Sequence, residues 1–140
     1  MLSGKKVIFR DGGQVTNVEE ISGLTFDWDD VSFEDEIVQK ELKELVNIFG
    51  QYSVWYRESS SKTGLHILIG ELIFDDQLGG LKLVPLAMDT VDQLHYREQT
   101  DIECRGRMFS DSMRQIVGLR TSRIFTTKNG LHVGLWQRFK

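Results

Sequence analysis

The sequence lacks most of the features that would fix a class at sight. It has one cysteine, Cys104, so no internal disulfide can form, and no zinc-ligand spacing is present. That thiol reads as buried or incidental, in a reducing compartment. Proline occurs once, at Pro85, and no repeat, linker or low-complexity segment interrupts the chain. No apolar run approaches the length of a membrane span. The opening Met1-Leu2-Ser3-Gly4-Lys5-Lys6 has no long apolar core behind it, unlike a secretory signal. The expectation is a cytoplasmic protein with no membrane partner.

Its 140 residues, 40% hydrophobic and 27% charged, fit one globular domain over 1–140 with enough apolar mass for one core. Three Trp, three Tyr and eight Phe argue against disorder. The charges divide unevenly. Residues 105–140 carry eight Lys/Arg against Asp111 alone, a net of +7, which leaves −11 on residues 1–104 within the chain's −4. An acidic part that could hold cations and a basic part that could hold phosphates is a sensible division.

Alternation predicts strands near 23–29, 52–58, 64–70, 122–127 and 131–137, with a further short one at Lys5–Arg10 ended by Asp11-Gly12-Gly13. Ser32-Phe33-Glu34-Asp35 resembles a capping box. Phe33, Ile37, Val38, Leu42, Leu45, Val46 and Phe49 recur at helical spacing, so a helix is expected over 32–49, closed by Gly50. Shorter helices are expected at Asp89–Glu98 and Ser110–Val117, and Leu72–Met88 is ambiguous. Ser59–Gly64 is a small-residue hairpin loop, and Lys128-Asn129-Gly130 marks a second hairpin. The expected fold is therefore α+β, a mainly antiparallel sheet with helices packed on one face.

The most informative stretch is Thr25-Phe26-Asp27-Trp28-Asp29-Asp30. On a strand, Phe26 and Trp28 face one way and Asp27 and Asp29 the other, about 6–7 Å apart along the strand. Two carboxylates at that spacing suit oxygen ligation of hard cations such as Mg²⁺ or Mn²⁺. The plain alternative is a solvated strand end running into an acidic helix start. In the loop, backbone N–H groups, hydroxyls and Lys62 can meet a phosphate, and His66 follows on the next strand. Alone, such a histidine is more often bonded to a neighbour than a ligand.

Taken in order, the Asp-x-Asp strand, the run Ser59-Ser60-Ser61-Lys62-Thr63-Gly64-Leu65-His66, an acidic segment and a Lys-x-Gly hairpin resemble the catalytic core of the archaeo-eukaryotic primase superfamily, including the primase-polymerases of archaeal plasmids and viruses. The resemblance covers about residues 23–136. It departs from the family at Thr126 or Thr127, where many members carry a second histidine. It implies an RRM-like sheet and template-dependent nucleotidyl transfer in DNA replication or repair, with Mg²⁺ or Mn²⁺ as cofactor. Asp27 and Asp29 would hold the metal with a third acid, Asp101 or Glu103 rather than Asp111, and Asp27, Asp29 and His66 would be catalytic. Ser59, Ser60, Lys62, Gly64, His66, Arg123 and Lys128 would bind the nucleoside triphosphate. Arg105, Arg107 and Arg114 would meet single-stranded DNA or RNA, and replication proteins would be partners. Two other readings stay open: a non-catalytic nucleic-acid-binding module, and a metal-dependent nuclease or replication initiator. The absence of a second histidine two residues from His66 counts against the initiator.

Overall fold

The computed structural model describes residues 7–11, 14–77, 79–128 and 131–140. In chain order they form β1 (Val7–Asp11), β2 (Gln14–Ser22), β3 (Thr25–Asp29), α1 (Glu36–Phe49), β4 (Val54–Glu58), β5 (Gly64–Asp75), β6 (Gly80–Pro85), α2 (Thr90–Gln99), α3 (Arg105–Ile116), β7 (Arg123–Lys128), β8 (Leu131–His132) and β9 (Gln137–Arg138). The architecture is α+β. Every strand pairing among the described residues is antiparallel.

The strands fall into two sheets rather than the single sheet expected. One runs β3-β5-β4-β9, with β6 paired to the outer half of β5; the other runs β1-β2-β7-β8. The expected strand over 131–137 is split, with β8 in one sheet and β9 in the other. The strand that builds the second sheet, β2, escaped the period-two reading. Its pairing with β7 shifts register twice, at Val18/Glu19 and Glu19/Ile21, and such irregularities break side-chain alternation. Gly12-Gly13 and Asn129-Gly130, the two expected turns, lie outside the described residues.

In the first sheet β3 and β4 both run antiparallel to the central β5, so they are parallel to each other with α1 crossing between them. The alternation expected from sequence holds. Phe26, Trp28, Val54, Leu65, Ile67 and Ile69 turn to one face and are almost wholly buried against Val38, Leu42 and Leu45 of α1. Their burial contributes about 1.5–3 kcal/mol per large side chain before the cost of ordering. Thr25, Asp27, His66, Leu68, Trp55 and Arg57 take the opposite face. There a second, smaller cluster of Trp55, Leu68, Leu83 and Ile124 brings β7 against the sheet.

Two helices start several residues away from the expected positions. α1 begins at Glu36, not Ser32, with Asp35 as its N-cap residue. The Ser32 backbone N–H donates to Asp35 Oδ2 at 2.9 Å and its hydroxyl to Oδ1 at 3.2 Å. The pair therefore closes a turn before the helix. This frees Phe33 to stack on Tyr56, with ring centroids 4.2 Å apart. α3 begins five residues earlier than expected, at Arg105; Gly106 in its first turn hides the start, since glycine disfavours helix. It does not share the face α1 covers. A single bridge between Trp28 and Glu103 places its start against the edge of β3 away from β5.

Candidate functional site

Strand register assembles the site. Asp27 of β3 lies opposite His66 of β5, which lies opposite Arg57 of β4, a row of three polar side chains across the sheet. His66 Nε2 is 3.9 Å from Asp27 Oδ1. On its other side, Arg57 Nε donates to His66 Nδ1 at 3.1 Å. A nitrogen that accepts from a guanidinium carries no proton, so the imidazole bears its hydrogen on Nε2, toward Asp27. Arg57 is itself buried, with its guanidinium over the Trp136 ring at 4.3 Å. Its place in the row is legible only after the fact: alternation put it on the His66 face, but nothing local marked an arginine as buried.

The loop between β4 and β5 is tight. The Ser59 N–H donates to Gly64 O at 2.9 Å, and the Lys62 N–H to Ser59 O at 3.0 Å. Ser60 is buried and reaches the site. Lys62, in the left-handed region at φ 64, pairs with Glu58 at 3.6 Å and lines a neighbouring groove beside Ser32–Glu34. Ser59 Oγ meets Ser61 Oγ at 3.1 Å. Of the loop residues expected at the triphosphate, Ser60 lines the cavity shared by Asp27 and His66, and Ser59, Lys62 and Gly64 do not. Gly64 has a structural reason to be glycine: any Cβ there would run into the Trp28 carbonyl oxygen of β3.

Neither acid expected as a third ligand, Asp101 or Glu103, is among the donor atoms gathered at Asp27 and Asp29. Asp101 is exposed and sits beside Glu41 of α1, donating a backbone hydrogen bond to it. Glu103 is buried and already held: Arg97 Nε donates to its Oε2 at 2.5 Å and Arg107 Nη1 to the same oxygen at 3.0 Å. Its Oε1 accepts the Asp27 N–H at 2.6 Å. Asp111 is likewise tied to Arg97 Nη1 at 2.6 Å and to the Ser122 N–H at 3.0 Å. Spacing could not reveal these arginine partners. Arg107, expected at nucleic acid, also donates to Thr25 Oγ1 at 2.6 Å. Burial, with nearby Arg97, holds its guanidinium below the usual arginine value, against Glu103, Asp27 and Asp111.

The group that does approach the aspartates is Cys104. One donor atom each from Asp27, Asp29 and Cys104 lie within 4.8 Å of one another, and the Cys104 N–H donates to Asp27 O at 2.9 Å. Burial pushes the thiol up from its ordinary value. The Arg107 N–H opposes this, while the hydrogen bond to Asp29 and the charges of Asp29 and Asp27 add to it.

These side chains open into a cavity of about 380 Å³ lined by Asp27, Asp29, Ser60, His66, Cys104, Arg107, Ser110, Asp111, Arg123 and Phe125. The Asp27–Asp29 pair, Asp111 and a histidine thus share a space with Arg123, the arginine expected at the nucleotide. Arg105 is exposed, and neither it nor Arg114 lines the cavity. Arg114 Nε donates to Arg120 O at 2.7 Å. Burial first, then the charge of Arg123, lowers the Arg114 and Arg120 guanidiniums, in Arg114 against Asp111. The Lys128 side chain lies outside the described residues. A larger cavity of about 610 Å³, between α1 and Arg138–Lys140, contains no acid and no histidine. Among the described residues, no helix is long and apolar enough to cross a membrane. Comparison with protein-family models, with curated proteins and with solved structures found no match to this chain.

Proposed function

We propose that the cavity at Asp27, Asp29 and His66 is a divalent-cation-dependent nucleotidyl-transfer site of the primase-polymerase kind. The observation that carries this reading is the single cavity joining the carboxylate pair, a histidine with an outward Nε2–H, and Arg123. The donor set fits a cation: two carboxylates on one strand face offer the charge and lone pairs a divalent ion needs. Such an ion would supply charge stabilisation and activation of an attacking hydroxyl. The Nε2–H of His66, the Ser60 hydroxyl and the Arg123 guanidinium would donate to the triphosphate, and Arg57 would keep His66 in the donating tautomer. The arrangement β3-α1-β4-β5, with β5 central, follows the first part of a split β-α-β plan, which supports an RRM-like core. Trp28 and Trp55 are buried, so neither offers an open stacking platform, which weighs against the non-catalytic binding module.

The test is incorporation of labelled nucleotide on a primed single-stranded template with Mn²⁺ or Mg²⁺. Incorporation should fall at least about a hundredfold, roughly 2.7 kcal/mol of barrier, in Asp27→Asn/Asp29→Asn. Nicking of single-stranded DNA without incorporation would instead favour a nuclease.

A further inference from the structure

We propose that Cys104 Sγ is a third ligand at the Asp27–Asp29 site, and that the site therefore prefers a cation that accepts sulfur, of the Zn²⁺, Co²⁺ and Cd²⁺ class, over Mg²⁺ or Ca²⁺. The proposal deepens the nucleotidyl-transfer reading by naming the metal class of the same site, and rests on that reading for its biological use.

Three observations converge. The donor set is mixed, two carboxylate oxygens and one sulfur within 4.8 Å of one another. Donors bound at about 2.0–2.3 Å to one tetrahedral ion lie about 3.3–3.8 Å apart, so small side-chain rotations bring all three onto one cation. Second, the backbone fixes their relation: the Cys104 N–H donates to Asp27 O, and the Asp27 N–H donates to the carboxylate of Glu103, next in chain to Cys104. The start of α3 is thereby pinned to the strand that carries the carboxylates. Third, the other acids nearby, Glu103 and Asp111, are committed to Arg97 and Arg107. His66 Nε2, 3.9 Å from Asp27 Oδ1, carries the ring hydrogen because Nδ1 accepts from Arg57, which leaves the Cys104 sulfur as the close ligand atom beside the carboxylate pair, and all three donors face the same 380 Å³ cavity. Carboxylates alone suit Mg²⁺, Ca²⁺ and Mn²⁺; adding a thiolate moves preference toward softer ions. On ligation the S–H bond breaks, an S–metal bond forms, and the proton leaves to solvent through the cavity mouth.

Sulfur-to-metal charge-transfer absorption reads the bond directly. Cys104 is the only cysteine in the sequence, so any thiolate band from this chain reports that residue. Titrating the full chain with Cd²⁺, and separately with Co²⁺, should give a band that saturates at one equivalent and survives a large excess of Mg²⁺. The band should vanish in Cys104→Ser. In Asp27→Asn/Asp29→Asn, with circular dichroism showing the fold intact, it should need at least tenfold more metal. No band in the wild-type chain would overturn the proposal, as would a band as tight in the Asp variant or one erased by Mg²⁺. If no band appears while nucleotide binding still needs the two aspartates, the sulfur ligand is wrong and the nucleotidyl-transfer reading stands. If the expected band appears but no nucleotide binds, the metal site stands and that reading fails.

Discussion

At the scale of single residues, Glu41 has the most direct link between burial and pH. Its carboxyl is buried on α1. Burial first, then the charges of Glu44 and Asp101, raise it above the usual carboxylate value, against Lys40 and the Asp101 N–H. A folded-state value above the unfolded one means that the protonated form is favoured by folding. That contribution is fully present below the unfolded value, about 4.3, and is lost as pH rises through the raised folded value. Glu41→Gln keeps an oxygen to accept from Asp101 and removes the charge. It should therefore raise the melting temperature at pH 7, and the gain should shrink to nothing as pH falls below about 4.3. Thermal melts of both proteins across that range check it. At the same scale, Asp27, Asp29 and His66 were legible in the sequence because strand alternation leaves little choice of face. Cys104 was not, since it enters through a strand-edge bridge to Glu103 that no local pattern announces.

Between elements, one buried side chain ties three pieces of chain. Arg97 of α2 is wholly buried and reaches Glu103 before α3, Asp111 within α3 and the Ser122 hydroxyl before β7. Removing it takes the direct ion pair from buried Asp111 and leaves Glu103 with Arg107 alone, and breaking such a buried pair costs about 3–5 kcal/mol. Arg97→Met should lower unfolding free energy by about that much in urea titrations, and adding Glu103→Gln and Asp111→Asn should recover part of the loss. α1, β3, β4 and the first half of β5 followed from periodicity, because their apolar residues meet a single core; β6, within the ambiguous 72–88, and the separate β9 did not. The second sheet did not, because the irregular register of β2 hides its period. The early start of α3 did not either, because a cysteine stands at its cap and a glycine in its first turn.

For the molecule as a whole, the +7 of residues 105–140 against −11 elsewhere gathers partly around the cavity, where Arg123 lines the wall and Arg114 and Arg120 lie close enough to feel its charge. Binding of a labelled single-stranded oligonucleotide should therefore weaken as salt rises, the log–log slope steepening by about 0.7 for each phosphate neutralised; binding unaffected by salt would remove the arginines from the account. The central claim is narrower, that the Asp27–Asp29–His66 cavity binds a nucleoside triphosphate through a divalent cation. Equilibrium binding of a fluorescent nucleoside triphosphate, with Mn²⁺ and with chelator, tests it most directly. The account expects binding in Mn²⁺ that is lost with chelator and weakened at least about tenfold, roughly 1.4 kcal/mol, in Asp27→Asn/Asp29→Asn. Equal binding with and without the cation, or by wild type and variant alike, would contradict it.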